Sequence, residues 1–317
     1  MKSGALKVFQ SVRTFSSLCV FIGIVLSSIL NPLLGANSLG WQIVIATIAL
    51  AIGIPHGAVD HLIAIKDGSK VKVILVMVVY VAIAVLSAVA IFNWSAWGFR
   101  LVLVMSFLHF GVGDAAFINE LDNLEGKRKL GKASQSFYAL AAGSIPVLIP
   151  LTQKTSTSAL SKVHPNLISW AGNFDTQIRL FILFVSISAF ILLLFAKRYR
   201  ELFDLLLLGL LALIAPPLVA FAVYFGCWHA IRHTSRLTLL LPKSISLANS
   251  GEALKSFVSA VLPGIPALLL TLVVAVITLA ARKDVSSNYF WTLLVIVWAL
   301  TVPHMMVTAR IDKKALN

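Results

Sequence analysis

The chain has 317 residues, of which 59% are hydrophobic and only 12% charged, with a mean hydropathy of +0.94. A soluble domain of this length would carry about twice that charge, so the composition excludes an ordinary globular protein and predicts an all-α fold, a polytopic bundle of transmembrane helices. The net charge of +14 is no sign of a nucleic-acid partner, because Lys and Arg sit in short clusters between apolar runs, as they do in membrane loops.

The N-terminus is basic (Lys2, Lys7, Arg13) and runs into the apolar stretch LCVFIGIVLSSIL. It resembles a signal peptide, but Leu34 stands where cleavage requires a small residue, so an uncleaved first helix is expected. Apolar runs of spanning length fall at about 14–34, 41–65, 73–93, 97–118, 133–152, 177–196, 202–214, 217–238, 261–281 and 288–309. They predict about ten spans, with a range of 8–10. The seventh and eighth runs meet at Pro216 and Pro217. As one helix they would be roughly 55 Å long, too long for a single crossing, so a short helix, a Pro-Pro turn and a second helix are expected. Residues 1–317 read as a single integral membrane domain, with 1–40 as an N-terminal extension carrying the first span and 41–310 as the catalytic bundle. With the N-terminus cytoplasmic, most Lys and Arg of the loops and span ends fall on the cytoplasmic side; Lys154, Lys162, Arg179, Arg282 and Lys283 fall outside, and ARKD at 281–284 is the weak point. This orientation places both termini in the cytoplasm and the protein in the cell (inner or plasma) membrane. Cys19 and Cys227 lie far apart within apolar runs and read as packing residues.

Ionisable side chains in hydrocarbon are expensive and usually functional. Counted from the start of each span, His56, His109, His229, His233 and His304 lie at one depth, within roughly 6 Å at 1.5 Å per residue. His229 and His233 are four residues apart and about 40° apart on an ideal α-helix, a spacing at which two imidazoles can share a metal. These two, with His56 and His109, make a metal-binding set. His304 is either a further ligand or a hydrogen-bonding neighbour. His61, five residues after His56, is expected to be solvated, and His164, in SKVHPN, to be exposed. Asp60 and Asp114 are read as carboxylates that hold ligand imidazoles, with direct ligation or structural pairing, for example with Arg232, as alternatives. Any link from Asp114 to His109 needs a bend at Gly111 or Gly113, or else Asp114 has another partner. Phe107, Phe110, Tyr224, Phe225 and Trp228 either pack or line a substrate site. An all-imidazole set suits Zn, Cu or Fe, and there is no HExxH helix to supply a hydrolytic base. Neutral ligands in apolar surroundings suit a lipid-soluble substrate and oxygen chemistry at iron.

GIPHGAVDH, SFLHFGVGDA, YFGCWHAIRH and TVPHM resemble, in order and spacing, the motifs of the Brp/Blh family of bacterial and archaeal β-carotene 15,15′-dioxygenases. The resemblance covers about residues 45–310. It implies oxidative cleavage of the central double bond of β-carotene by O2 at a non-haem iron, Fe(2+), giving two all-trans-retinal molecules. It also implies that His56, His109, His229 and His233 are the iron ligands, that β-carotene arrives through the lipid bilayer, and that the product has a functional link to a microbial rhodopsin.

Other readings stay open on the residues alone. A bis-His haem cytochrome could draw its axial ligands from two of these helices, and a proton or metal transporter could use the intramembrane His and Asp with the Pro-Pro break. A di-iron hydroxylase would need more histidines than share this layer.

Overall fold

The computed structural model describes residues 2–64, 70–153, 161, 163–164, 170–280 and 288–317. Among the described residues the structure is helical, with no strand. In chain order the helices are α1 (Lys2–Leu34), α2 (Leu39–Gly53), α3 (Asp60–Ala64), α4 (Lys70–Asn93), α5 (Ser95–Glu125), α6 (Lys132–Leu148), α7 (Asp175–Phe195) and α8 (Tyr199–Ile214). They continue as α9 (Pro217–Ala222), a π-helical segment (Val223–Ala230), α10 (Ile231–Leu237), α11 (Pro242–Asn249), α12 (Ala253–Val261), α13 (Ile265–Ala280) and α14 (Asn288–Leu316).

Seven stretches of the described residues are long and apolar enough to cross a bilayer. The sequence suggested about ten. The difference lies in α6, with 17 residues, α8, with 16, and the broken α9–π–α10 run. A helix of 17 residues is about 25 Å long, short of a hydrocarbon core of about 30 Å.

Burial sorts the helices by position. α5 is the central one, buried along most of its apolar length, whereas α4 and α7 are mostly exposed. Their outward Val, Leu, Ile and Phe side chains suit a lipid-facing surface. α5 packs closely on α6, α6 on α7, and α14 on both α4 and α5. The α5–α6 approach is backbone to backbone at Gly111 and Gly143: a Cβ on Gly111 would fall on the carbonyl oxygen of Ala139, and one on Gly143 on that of Phe107. α5 runs unbroken through Gly111 and Gly113. It stops at Gly126, whose φ of 69° closes a left-handed C-terminal turn in which the Lys127 N–H donates to the Asp122 carbonyl.

α1 starts at Lys2, earlier than the apolar run alone suggested, and packs on α8, the π segment and α10. Phe9 of α1 stacks on Phe117 of α5 at 5.1 Å between ring centroids. The break between α8 and α9 is as expected. Ala215 is extended (ψ 142°), as a residue before proline prefers, and Pro217 takes the first helical position.

Two buried ionic clusters gather the ends of these helices. Arg13 of α1 donates to Glu201 and Asp204 of α8, each at 2.9 Å, and Arg232 of α10 donates to the same Asp204 at 3.3 Å. Arg236 donates to Glu120 of α5 at 2.9 Å and to Asp312 of α14 at 2.6 Å. Arg236 follows a long apolar run in the chain and is fully buried. An arginine next to apolar residues looks like a span end until its partners, distant in the chain, are known.

Candidate metal centre

Five imidazoles meet inside the bundle. Pro55 sits at the start of a 3₁₀ turn, Ile54–Val59, which interrupts the path from α2 to α3 and carries His56. His109 lies midway along α5, His229 in the π segment, His233 in α10 and His304 in α14. All five are buried. Four rings form a closed circuit. Between centroids, His229 is 5.0 Å from His109, His109 is 5.2 Å from His304, His304 is 5.3 Å from His233, and His233 is 6.1 Å from His229. His56 joins the circuit at 5.7, 5.4 and 5.0 Å from His229, His233 and His304. His304 is thus as central as the other four.

The second nitrogen of two rings is fixed by a partner, and that of a third has a weak contact. The His56 Nδ1–H donates to the Gly53 carbonyl. The His304 Nδ1–H donates to Asp60, with oxygens at 2.8 and 3.0 Å. The hydroxyl of Thr308 donates to the Met305 carbonyl and lies 3.5 Å from His109 Nδ1, where it can accept a weak bond. An imidazole that donates from Nδ1 presents a lone pair on Nε2, the form a metal needs. The Nε2 atoms of His109, His229, His233 and His304 are buried with no protein partner. Orphaned polar atoms of this kind are costly and call for an explanation.

A metal answers that need by donor chemistry and by spacing. An imidazole nitrogen binds a transition metal at about 2.0–2.1 Å, which places two rings on one tetrahedral ion with centroids about 5 Å apart. The observed separations of 5.0–6.1 Å agree. Among the described residues no group of three or more His, Cys, Asp or Glu side chains is already arranged to hold an ion. The rings have the right spacing but pack mostly edge to face. Ligation therefore requires them to turn about χ2, a broad and inexpensive torsion for histidine.

The two carboxylates act differently from each other. Asp60 holds His304, not His56, and also accepts a bond from the Tyr80 hydroxyl at 3.1 Å. Asp114 bonds no histidine. It accepts from the Tyr224 hydroxyl at 3.2 Å and from the Trp228 indole N–H at 2.9 Å, so it pins the π segment that carries His229. Arg232 pairs with Asp204 and lies over the Trp228 ring, 3.4 Å from its centroid. It adds a second support to the same indole. His164 is half-buried and stacks on Trp291 at 4.1 Å, where the sequence suggested an exposed loop residue. The side chain of His61 lies outside the described residues.

A cavity of about 250 Å³ adjoins the imidazoles and is lined by His56, His109 and His304 together with residues of α4, α13 and α14. Of the five aromatics singled out from sequence, Phe110 and Phe225 line it. Tyr224 and Trp228 instead bond Asp114, and Phe107 packs on Phe181 at 6.1 Å. Met77 and Val81 of α4 and Leu300 of α14 form part of the lining and are 50%, 57% and 39% exposed, so the cavity reaches the lipid-facing surface. Tyr80, Thr308 and Asp204 escaped the sequence reading. Tyr80 carries the one signal that could have found it, a hydroxyl placed within the apolar run of α4.

The family described as Beta-carotene 15,15′-dioxygenase matches residues 47–312. A Halobacterium salinarum protein named probable beta-carotene 15,15′-dioxygenase Blh is 26% identical over 206 residues, 59% of this chain and 59% of its own length. A beta-carotene 15,15′-dioxygenase from uncultured marine bacterium 66A03 is 30% identical over 196 residues, 58% of this chain and 65% of its own length. The matched regions therefore span less than two thirds of either relative. No solved structure matches the chain. The family match takes in all five buried histidines and runs from α2 to α14: this chain belongs to the beta-carotene 15,15′-dioxygenase family.

Proposed function

We propose that the protein cleaves β-carotene at its central 15,15′ double bond with O2, giving two molecules of all-trans-retinal. The observation that carries this reading is the set of five buried imidazoles beside an apolar cavity that reaches the lipid-facing surface. The family of the chain and the names of its relatives point the same way. The haem-cytochrome and transporter readings gain no support from that family.

His56, His109, His229 and His233 would hold a ferrous ion, with His304 either completing the ligand set or bonding beside it. When bound, iron would supply the activation of O2 that an oxidative C=C cleavage requires. The chain supplies the rest. Phe110, Phe225, Val297 and Leu300 give the polyene an apolar bed and keep water from the reacting carbons. Asp60 and Thr308 hold the Nδ1 protons of His304 and His109, which keeps the Nε2 lone pairs directed inward. Substrate would arrive sideways from the bilayer past Met77 and Val81, since so insoluble a molecule has little concentration in water.

The protein would lie in the cell membrane with both termini cytoplasmic and α6, α8 and α9–π–α10 crossing as well. The product would serve a retinal-binding membrane protein such as a microbial rhodopsin. Expression in carotene-producing cells tests the activity. Loss of orange colour and appearance of retinal in extracts are expected, and unchanged carotene without retinal would overturn the reading.

A further inference from the structure

A symmetrical polyene cut at its centre must extend equally to both sides of the reacting bond. The cavity beside the histidines runs toward α4 and α13 and accommodates one such arm. Phe110 of α5 and Phe225 of the π segment are also part of its lining. Behind those rings is a second cavity of about 50 Å³, lined by Leu103 and Ser106 of α5, Leu218 and Phe221 of α9, and Leu294 and Trp298 of α14. Most of its lining comes from α5 and α14, which carry His109 and His304, and from α9, which leads into the π segment that carries His229. Counted along α5, Leu103 and Ser106 lie about 9 and 4.5 Å from His109 in helical rise.

A wall of three phenylalanines separates the two spaces. Phe110 is 6.4 Å from Phe221 and 6.0 Å from Phe225, and Phe221 stacks on Phe225 at 5.9 Å. The wall also touches the imidazoles, with Phe225 at 5.5 Å from His56 and Phe110 at 4.5 Å from His229. The centre of a bound polyene must therefore pass this point. Phe221 is only half-buried, which leaves its ring room to turn.

We propose that the cavity between α5, α9 and α14 is the half-site for the second arm of the carotene, and that the Phe221 ring is the gate joining it to the cavity at the histidines. This rests on the carotene-cleaving reading and adds to it the feature that makes the cut central. A chain with only the first cavity would favour a substrate with one long and one short arm. The half-site is small while the gate is closed, so turning Phe221 and Phe225 is part of substrate binding.

The test compares β-carotene with an apocarotenal that keeps one complete arm and has the other shortened soon after the central bond. Leu218→Trp and Ser106→Leu fill the half-site, whose lining contains no histidine among the described residues. In these variants β-carotene turnover should fall at least about tenfold while apocarotenal turnover changes less than about twofold, the discrimination expected when a pocket excludes a few methylenes. Binding read by quenching of tryptophan fluorescence, Trp298 included, should weaken for β-carotene alone. Phe221→Ala should act in the opposite sense and improve turnover of carotenoids with an enlarged end ring. Equal loss of both substrates in the filled variants, together with unchanged selectivity in Phe221→Ala, would overturn the half-site, as would filled variants that keep full β-carotene turnover. A wild-type protein that cleaves neither substrate would instead overturn the carotene-cleaving reading itself.

Discussion

Asp60 and His304 come from opposite ends of the chain, yet a carboxylate oxygen of Asp60 lies 2.8 Å from His304 Nδ1. Both are buried, and the Tyr80 hydroxyl gives the carboxylate a second bond. An acceptor at Nδ1 fixes the tautomer and makes Nε2 the better donor to a cation. Asp60→Asn keeps the shape and removes the charge. We expect it to lower iron affinity or turnover roughly 10–100-fold, the usual scale for a residue that acts through a ligand. Iron retained after dialysis, measured against wild type, checks this. Complete loss of iron would make Asp60 a ligand, and full retention would reduce the pair to a structural one.

The imidazoles themselves give a sharper expectation. His56→Ala, His109→Ala, His229→Ala and His233→Ala should each abolish turnover and lower bound iron while the protein still reaches the membrane. Chelation of the wild type should do the same, reversibly on adding ferrous ion, and should lower thermal stability, since a ligand of the folded state stabilises it. His304→Ala separates its two roles: a ligand is lost with the iron, whereas a neighbour leaves iron bound at reduced affinity. Wild-type iron content in any of the first four variants would remove that residue from the centre.

Two glycines on α5 separate packing from chemistry. A Cβ on Gly113 would stand 3.1 Å from Cε1 of His229 and meet little else, whereas one on Gly111 would strike the backbone of α6. Gly111→Ala should therefore cost stability by about 1–3 kcal/mol, the usual effect of overpacking. Gly113→Ala should leave thermal unfolding in detergent nearly unchanged but reduce turnover by pushing the His229 ring. Equal loss of stability in the two variants would contradict this division.

The histidine layer was legible in the sequence because polar residues in apolar helices are conspicuous, and the helical rise converts their positions into depths. The fold class and the Pro-Pro break were legible for the same local reason. What was hidden depends on contacts between distant segments or on departures from the α-helix. The spacing of His229 and His233 was read with α-helical periodicity, but Val223–Ala230 is a π segment, whose wider turn shifts the side chains. Which imidazole Asp60 would hold could not be read locally: the 3₁₀ turn lies between it and His56, and α14 brings His304 to it. Asp114 found another partner, in Tyr224 and Trp228, and no bend of α5 was needed.

Asp204 holds together elements that no sequence motif connects. It accepts bonds from Arg13 of α1 at 2.9 Å and from Arg232 of α10 at 3.3 Å, and its side chain is completely buried. Arg232 in turn covers the ring of Trp228, the residue just before His229 in the chain, and the Trp228 N–H reaches Asp114. Removing one member of a buried ion pair strands its partners without solvent, at about 3–5 kcal/mol. Asp204→Asn should therefore destabilise the protein on that scale and loosen the π segment, so bound iron should fall along with the unfolding temperature. Arg232→Lys keeps a charge but loses the planar fork and the stacking on indole, and should show a smaller loss of both. Lys127→Ala is the control, since its pair with Glu125 is formed by a side chain that is 64% exposed, and such pairs contribute about 0–1 kcal/mol. Thermal unfolding and iron content measured side by side on the three variants check the order. If Asp204→Asn proved no less stable than Lys127→Ala, Asp204 would not be the tie between α1, α8 and α10.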